Sequence, residues 1–240
     1  MSVQEVSQKR VVFCTPTITK PYPAFLDALE ASQPLIEEAG YSSGFVLETG
    51  NPYISAARAT LLRKALDDKA DIIVFLDHDL SWEPGALLTL IEAPGNVVAG
   101  TYRFKKPDEE YMGSWLRDGD GRPYGQMHGE VPMIRADRIP AGFLKVTKEA
   151  VDRFMGAYPE LVYGPRYNPS VDLFNHGAIE GVWYGEDYAF SRRWVETGEP
   201  LWLLPELQID HHGADGTVYP GCLHDYLQRL PGGAKAPDAA

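Results

Sequence analysis

The 240-residue sequence is poor in cysteine and in basic residues. Its two cysteines, Cys14 and Cys222, lie far apart, so no disulfide framework or zinc motif is readable and we expect reduced thiols. Only 22 Lys and Arg oppose 34 Asp and Glu, which gives a net charge of −12. Broad nucleic-acid-binding faces need clustered basic side chains. Nucleic acid is therefore not the expected partner, although a local basic pocket is compatible with this charge.

Long hydrophobic runs are also missing. No segment approaches the roughly 18 consecutive apolar residues of a membrane-spanning helix, and the opening MSVQEVSQKR lacks the apolar core of a signal peptide. Hydrophobic residues make up 44% of the chain, as is usual for a globular protein. We therefore expect a cytoplasmic protein with one domain over residues 1–230 and a disordered tail, PGGAKAPDAA, over 231–240.

Strand and helix patterns alternate through roughly the first hundred residues. Apolar runs predict strands at 11–15, 45–47, 71–76 and 96–100, and helical periodicity predicts helices at 25–40, 54–68 and 84–91. This alternation indicates an α/β domain with a mainly parallel central sheet and flanking helices. No GxGxxG motif follows the first strand, which disfavours a Rossmann dehydrogenase.

The second half of the chain is less regular. Residues 102–142 and 158–184 are rich in glycine, proline, charged and aromatic residues and show little periodicity, so they predict long loop insertions. Between and after them we expect helices at 147–157 and 187–197 and a strand within 201–209.

Two aspartates, Asp77 and Asp79, stand just past the buried strand 71–76. Open α/β sheets bind ligands beyond the carboxyl ends of their strands, and Mg²⁺ is typically held by one or two carboxylates plus substrate phosphates. The pair therefore suggests a metal–diphosphate site, although the same carboxylates could cap amides in a turn. If strand geometry continues, His78 points to the opposite face.

Four patterns occur in the order found in GT-A-type glycosyltransferases of the family 2-like group. They are NPYISAAR at 51–58, the DxD at 77–79, GEDYAF at 185–190 and HHG at 211–213. The chain resembles this group over roughly residues 10–213. The resemblance implies a single GT-A-like nucleotide-sugar-binding domain, a divalent cation, and transfer of a sugar to an acceptor hydroxyl.

The resemblance also implies metal ligands. Asp79 would bind the metal directly, and Asp77 would contact the ribose or a metal-bound water. His211 matches the position of the family's late histidine, and His212 remains an alternative. Either histidine could instead be a buried, hydrogen-bonded residue that binds no metal. Imidazole suits Mn²⁺ better than Mg²⁺, so Mn²⁺ is the favoured cofactor and Mg²⁺ the alternative.

Two acidic residues are the catalytic candidates. Asp187, and after it Glu186, matches the residue that lies near the acceptor hydroxyl and acts as general base in inverting members of the group. Such a base is needed because an alcohol is a poor nucleophile until its proton is accepted. Both residues could instead cap a helix, and retention or inversion stays open.

The remaining candidates concern the donor. Thr15, Pro16 and Thr17 follow the first strand, where a nucleotide base and ribose would be held. Arg58 lies on an otherwise apolar helical face, beside the donor by resemblance or paired with a buried carboxylate for structural reasons. Lys105 belongs to a small positive cluster that could offset diphosphate charge or form a solvated loop.

The leading hypothesis is a metal-dependent glycosyltransferase with a nucleotide-diphosphate sugar donor of UDP type and an unknown acceptor. A phosphoester hydrolase is the first alternative, but it would need more metal ligands than the sequence offers. A non-catalytic nucleotide-sugar-binding module is the second. Glycosylation of a modified DNA base is a minor variant that the acidic composition does not support.

Overall fold

The computed structural model describes residues 8–230, so the predicted tail at 231–240 lies outside the described residues. The helices in this part are α1 Pro23–Glu38, α2 Ile54–Asp67, α3 Gly85–Glu92, α4 Lys148–Ala157, α5 Glu186–Glu196 and α6 Leu223–Arg229, with a 3₁₀ turn at Pro159–Leu161. The strands are β1 Arg10–Thr17, β2 Ser42–Thr49, β3 Ile72–Leu76, β4 Leu80–Trp82, β5 Val97–Gly100, β6 Ser114–Trp115, β7 Gly125–His128, β8 Val131–Arg138, β9 Phe143–Thr147, β10 Val162–Tyr163, β11 Ser170–Val171, β12 Gly177–Ile179, β13 Val182–Tyr184, β14 Leu201–Leu204, β15 Ile209–His212 and β16 Val218–Tyr219.

A nine-stranded sheet forms the centre of the molecule, with the order β2-β1-β3-β9-β5-β14-β8-β6 and β7 paired to β8. Strands β1, β2, β3, β5 and β14 run in one direction, whereas β9 and β8 run against their neighbours. The predicted α/β class with a mainly parallel central sheet is therefore confirmed. Among the described residues, no helix combines the length and apolar character needed to cross a membrane.

The central strand β3 is buried on both faces. Ile72 and Val74 pack with α1 and α3, for example against Phe25 and Leu87. The alternate residue Phe75 packs on the other face with residues of α2, α4 and α5. Because side chains alternate between the faces of a strand, an unbroken apolar run is what a strand covered by helices on both sides requires.

Both segments predicted as loops contain strands. The segment 102–142 contains β6, β7 and β8, and β9 follows it directly, whereas 158–184 contains the short strands β10 to β13. In β9 the apolar pattern is broken by Lys145, which is only 2% exposed. Its Nζ donates to the carbonyl oxygens of Ile91 and Ala93 at the end of α3, so the charged group is satisfied inside the protein. Burial, with a smaller contribution from Lys9, lowers the pKa of Lys145 to about 8.

A small three-stranded sheet, β16-β15-β4, lies apart from the central sheet. Strand β4 begins immediately after the DxD motif and pairs antiparallel with β15, which places His211 opposite Leu80 and Asp210 opposite Ser81. The strand predicted within 201–209 is β14, which ends at Leu204, and a separate strand, β15, starts at Ile209 and carries the histidines. The chain is therefore divided between two sheets at this point. This division lets the late histidines leave the central sheet and reach the DxD turn.

Candidate active site

The first aspartate of the DxD motif is fixed just beyond the end of β3. The backbone N–H of Asp77 donates to the carbonyl oxygen of Gly142 at 2.8 Å. Its Oδ1 accepts from Arg58 Nη2 at 2.9 Å and its Oδ2 from the Tyr102 hydroxyl at 3.3 Å. A Cβ at position 142 would overlap both the Asp77 carboxylate and the Tyr102 hydroxyl. Glycine is therefore required at position 142 for Asp77 to take this position.

The second aspartate, Asp79, lies between a lysine and a histidine. Its Oδ2 accepts a hydrogen bond from Lys105 Nζ and is 3.7 Å from His211 Nε2. Burial alone would raise the pKa of Asp79, but the interactions with His211 and with the Lys105 ammonium outweigh burial and hold the pKa below its usual range. Asp79 is therefore a partly buried anion that faces two nitrogen atoms.

His211 is oriented by the protein backbone. Its Nδ1 is 2.7 Å from the carbonyl oxygen of Arg103. A carbonyl oxygen only accepts, so Nδ1 carries a proton and Nε2 is the ring nitrogen directed at Asp79. The ring also packs edge-on against Tyr102, with centroids 5.1 Å apart. Such a backbone contact is the usual way in which a metal-binding imidazole is held in one tautomer.

His212 faces away from Asp79. Its Nε2 lies 2.8 Å from Ser81 Oγ and its ring is 6.1 Å from that of Tyr22. The structure thus brings His211, and not His212, to the carboxylate. His78 does not follow the expected alternation, because β3 ends at Leu76 and His78 lies in a turn. Its side chain lines the same cleft as the two aspartates.

Arg58 connects the DxD motif to helix α5. Its side chain is 3% exposed, with Nη2 on Asp77 and Nη1 2.5 Å from Glu186 Oε1, and its guanidinium lies 5.4 Å from the centre of the Phe174 ring. Burial alone would lower the pKa of Arg58, but the carboxylates of Asp77 and Glu186 raise it overall. The guanidinium therefore stays charged, and it lines the cleft as well as pairing with the DxD region.

Asp187 differs from its neighbour Glu186. Its Oδ1 accepts from the backbone N–H of Tyr188 at 2.8 Å. Burial, and then the nearby negative charge of Glu186, raises the pKa of Asp187 to about 6, against a smaller opposing effect of Arg58. A carboxylate with a pKa near the working pH is suited to accept a proton, since it is largely ionised yet holds a proton more tightly than an ordinary aspartate.

Most of these residues line one cleft of about 370 Å³, whereas Lys105, Asp187 and His212 are not part of its lining. Its polar lining comes from the DxD turn, Arg58, Glu186 and His211. Further lining comes from residues that end or follow β1 and β2, up to the first residue of α2, namely Pro16, Thr17, Ile18, Asn51, Pro52 and Ile54. Thr15 is fully buried and does not line the cleft. Within the described residues, the hydroxyls of Thr15 and Thr17 are buried without a hydrogen-bond partner.

Two residues that hold the first aspartate were not among the predicted site residues. Tyr102 and Gly142 hold Asp77 but stand at the two ends of the segment predicted as loop. No local motif marks either of them. A correct assignment of strand β9, which starts at Phe143, would have placed Gly142 beside the end of β3, because Phe143 pairs with Leu76.

The metal-binding atoms of the cleft fit a cation that the substrate helps to bind. No three His, Cys, Asp or Glu side chains among residues 8–230 are grouped to hold a metal ion. Asp79 and His211 offer one oxygen and one nitrogen 3.7 Å apart, a separation that two ligands at about 2.1 Å from one cation can span. The other ligands would be phosphate oxygens and water. Lys105 contacts the same Asp79 oxygen and would have to move aside.

No protein-family model and no curated protein matches the sequence. Among solved structures, A197 from STIV matches with a TM-score of 0.51 and 16% identity over 88% of this chain and 93% of that chain. GalNAc-T7 with UDP, GalNAc and Mn²⁺ matches at 0.47 and 11%, over 86% of this chain and 44% of its own. Drosophila β1,4-galactosyltransferase 7 in complex with manganese, UDP-Gal and xylobiose matches at 0.47 and 10%, over 88% and 70%. The chain has a GT-A-type fold, as the resemblance predicted.

Proposed function

From a GT-A fold with this cleft, we propose that the chain is a divalent-cation-dependent glycosyltransferase. It moves a sugar from a nucleotide-diphosphate donor to an acceptor hydroxyl. One observation carries the proposal: Asp77 and Asp79, Glu186, and His211, which come from three distant parts of the sequence, line the same cleft at the carboxyl ends of parallel strands. Open α/β sheets bind their ligands at this edge.

We assign the cation to Asp79 and His211 and favour Mn²⁺ over Mg²⁺, because imidazole suits the softer ion. The bound cation supplies positive charge that offsets the diphosphate as it departs. Lys105, already at Asp79, can shift its ammonium to the same phosphates. Asp77 is held by Arg58 and Tyr102. In this fixed position it would accept hydrogen bonds from the ribose or from a cation-bound water.

The donor nucleotide, which we propose to be of UDP type, would occupy the wall at the ends of β1 and β2. Pro16 and Ile54 offer apolar surface to a flat base. Thr17 also lines this wall, while its hydroxyl is itself buried and has no hydrogen-bond partner among the described residues. Thr15, which is fully buried behind this wall, supports it and does not reach the nucleotide.

We assign the general base to Asp187 and a positioning role to Glu186. Glu186 is bound by Arg58, whereas Asp187 has a pKa raised to about 6. The acceptor oxygen forms its bond to the anomeric carbon while the bond from that carbon to the diphosphate oxygen breaks. The acceptor proton passes to the Asp187 carboxylate during this displacement.

The test is calorimetric titration of the full chain with UDP and with GDP, each with and without Mn²⁺. We expect Mn²⁺-dependent UDP binding by the wild type, its loss in Asp79→Ala, and its retention in Asp152→Ala, which removes an exposed carboxylate on α4. Release of UDP from UDP-sugars would then report turnover. UDP binding that ignores Mn²⁺ and survives Asp79→Ala would refute the proposal.

The alternatives have less support. A hydrolase with its own metal cluster would need a third protein ligand, which the described part of the chain does not provide. A non-catalytic module would bind the donor without consuming it. If UDP-sugar turnover is present and Asp187→Asn abolishes it without weakening UDP binding, the non-catalytic alternative is excluded.

A further inference from the structure

One further cavity, of about 230 Å³ and thus smaller than the cleft, lies along α5. Tyr184, Tyr188 and Arg192 line it at intervals of four residues, and the end of β8 contributes Asp137 and Arg138. None of these side chains has a role in the mechanism above. We call this cavity the α5 groove.

At the start of α5 the proposed base, Asp187, stands in the sequence between a residue that lines the cleft and a residue that lines the α5 groove. Successive residues of a helix are rotated by about 100°, so Glu186 and Tyr188 point to opposite sides of the first turn with Asp187 between them. Glu186 lines the cleft and Tyr188 lines the groove. Burial is the main cause that raises the pKa of both Tyr102 in the cleft and Tyr188 in the groove, and the Asp187 charge adds to it in each.

The tyrosine rings of the groove are held by arginines. The Arg138 guanidinium lies 5.2 Å from the centre of the Tyr188 ring, and that of Arg192 lies 5.4 Å from the Tyr184 ring. Arg192 is fixed in turn by a carboxylate on β12–β13, Glu180, at 2.8 Å. Aromatic rings restrained in this way are ordered before a ligand arrives, so binding costs less conformational entropy.

The charges of the groove are nearly balanced. Arg192 is paired with Glu180 and also with Glu196, and the exposed Arg138 has Asp137 beside it in the lining. There is thus no excess of positive charge for a phosphate or another anion. Aromatic faces beside guanidinium N–H groups and carboxylate oxygens match a ring with C–H faces and hydroxyl edges. The volume is below the roughly 300–1,000 Å³ of pockets for drug-sized ligands, which suits one sugar ring.

We propose that the α5 groove binds the terminal ring of a neutral carbohydrate acceptor and thereby presents one of its hydroxyls to Asp187. This inference rests on the proposed function, because it assigns the acceptor of that reaction. It names a substrate class and does not depend on the identity of the donor sugar.

Binding can be measured without turnover by saturation-transfer NMR of the full chain with methyl glycosides of glucose, galactose, mannose and N-acetylglucosamine, with UDP and Mn²⁺ present or absent. Arg138→Ala and Val195→Glu change exposed groove residues, which protects folding. Arg153→Ala, on α4 and 43% exposed, is the matched control. We expect at least one glycoside to bind, about five- to tenfold more weakly in Arg138→Ala, and not to Val195→Glu.

The outcomes separate this inference from the proposed function. Glycoside binding that is unchanged in both groove variants, or absent from the wild type for all four glycosides, overturns the acceptor assignment. Tighter binding of a glycosyl phosphate than of the corresponding neutral glycoside overturns the proposal that the acceptor is a neutral carbohydrate. If the wild type binds glycosides in the groove but never binds UDP, the transferase proposal fails while the groove remains a carbohydrate site. If UDP-sugar turnover is present, the groove variants should raise the acceptor KM and not the donor KM.

Discussion

Replacing Arg58 by methionine removes the charge that joins two parts of the site. Arg58 is 3% exposed and donates to Asp77 and Glu186. Methionine keeps a long unbranched side chain but leaves these two carboxylates without their cation. The loss of stability in this variant therefore measures how strongly Asp77 of the DxD motif and Glu186 of α5 depend on one buried guanidinium.

The expected loss of stability is large. Breaking a fully buried ion pair by removing one partner costs about 3–5 kcal/mol. The carboxylate side chains are 26% and 23% exposed, so water solvates them in part and weakens the penalty. We expect the free energy of unfolding of Arg58→Met to fall by about 2–3 kcal/mol. At roughly 2–4 °C per kcal/mol for a chain of this length, the melting temperature should fall by roughly 4–12 °C.

Urea unfolding followed by circular dichroism checks this value, with Arg153→Met as the control. Arg153 is 43% exposed and makes surface ion pairs, so its replacement should cost at most about 1 kcal/mol. In a Glu186→Gln background, Arg58→Met should cost less, because one unpaired carboxylate is gone. Equal losses for the two methionine variants would refute the reasoning.

Three further predictions concern other parts of the chain. With a pKa near 6 for Asp187, kcat/KM should rise as pH rises through about 6 and then level, and Asp187→Asn should stay low at every pH. Because this folded pKa lies above the unfolded value of about 3.9, the folded state binds the proton more tightly. The stability this group contributes is therefore lost as pH rises from about 4 to 6. Asp187→Asn should remove this pH dependence of the free energy of unfolding, as measured by urea unfolding. His211→Ala should weaken Mn²⁺-dependent UDP binding more than about tenfold in calorimetry, while His212→Ala should not; the reverse order would contradict the ligand assignment. Thr147→Ala, which removes the hydroxyl that caps α4, should cost about 1 kcal/mol in urea unfolding, and an unchanged midpoint would refute the capping role.

The parts of the fold that local patterns specify were predictable from the sequence. Strand β3 is an apolar run because helices cover both of its faces, and its burial pattern follows directly from the residues. Strand β9 was not predictable in this way, because Lys145 looks like a surface residue until the carbonyl groups that accept its hydrogen bonds are known. Those carbonyl groups lie at the end of α3, more than fifty residues earlier in the sequence. No local sequence pattern therefore predicts the contact that compensates the buried charge.

In the candidate site, too, some positions follow from local sequence and others depend on contacts between distant parts of the chain. The position of Asp77 and Asp79 past a strand follows from local sequence. The choice between His211 and His212 depends on the pairing of β15 with β4, and the pairing between strands distant in sequence is not encoded by the pattern of either strand alone. Gly142 is a second example. A residue without a side chain is required at this position only because the Asp77 carboxylate comes so close.

The pairing of β4 with β15 also affects how the chain tolerates insertions and deletions. Side chains alternate along a strand, so a slip of one residue exchanges its two faces. Deleting one residue between β14 and β15 would move His212 into the place that His211 now occupies, opposite Leu80. With two adjacent histidines, an imidazole therefore stays beside Asp79 when that loop loses one residue. With a single histidine, the same deletion would leave the site without one.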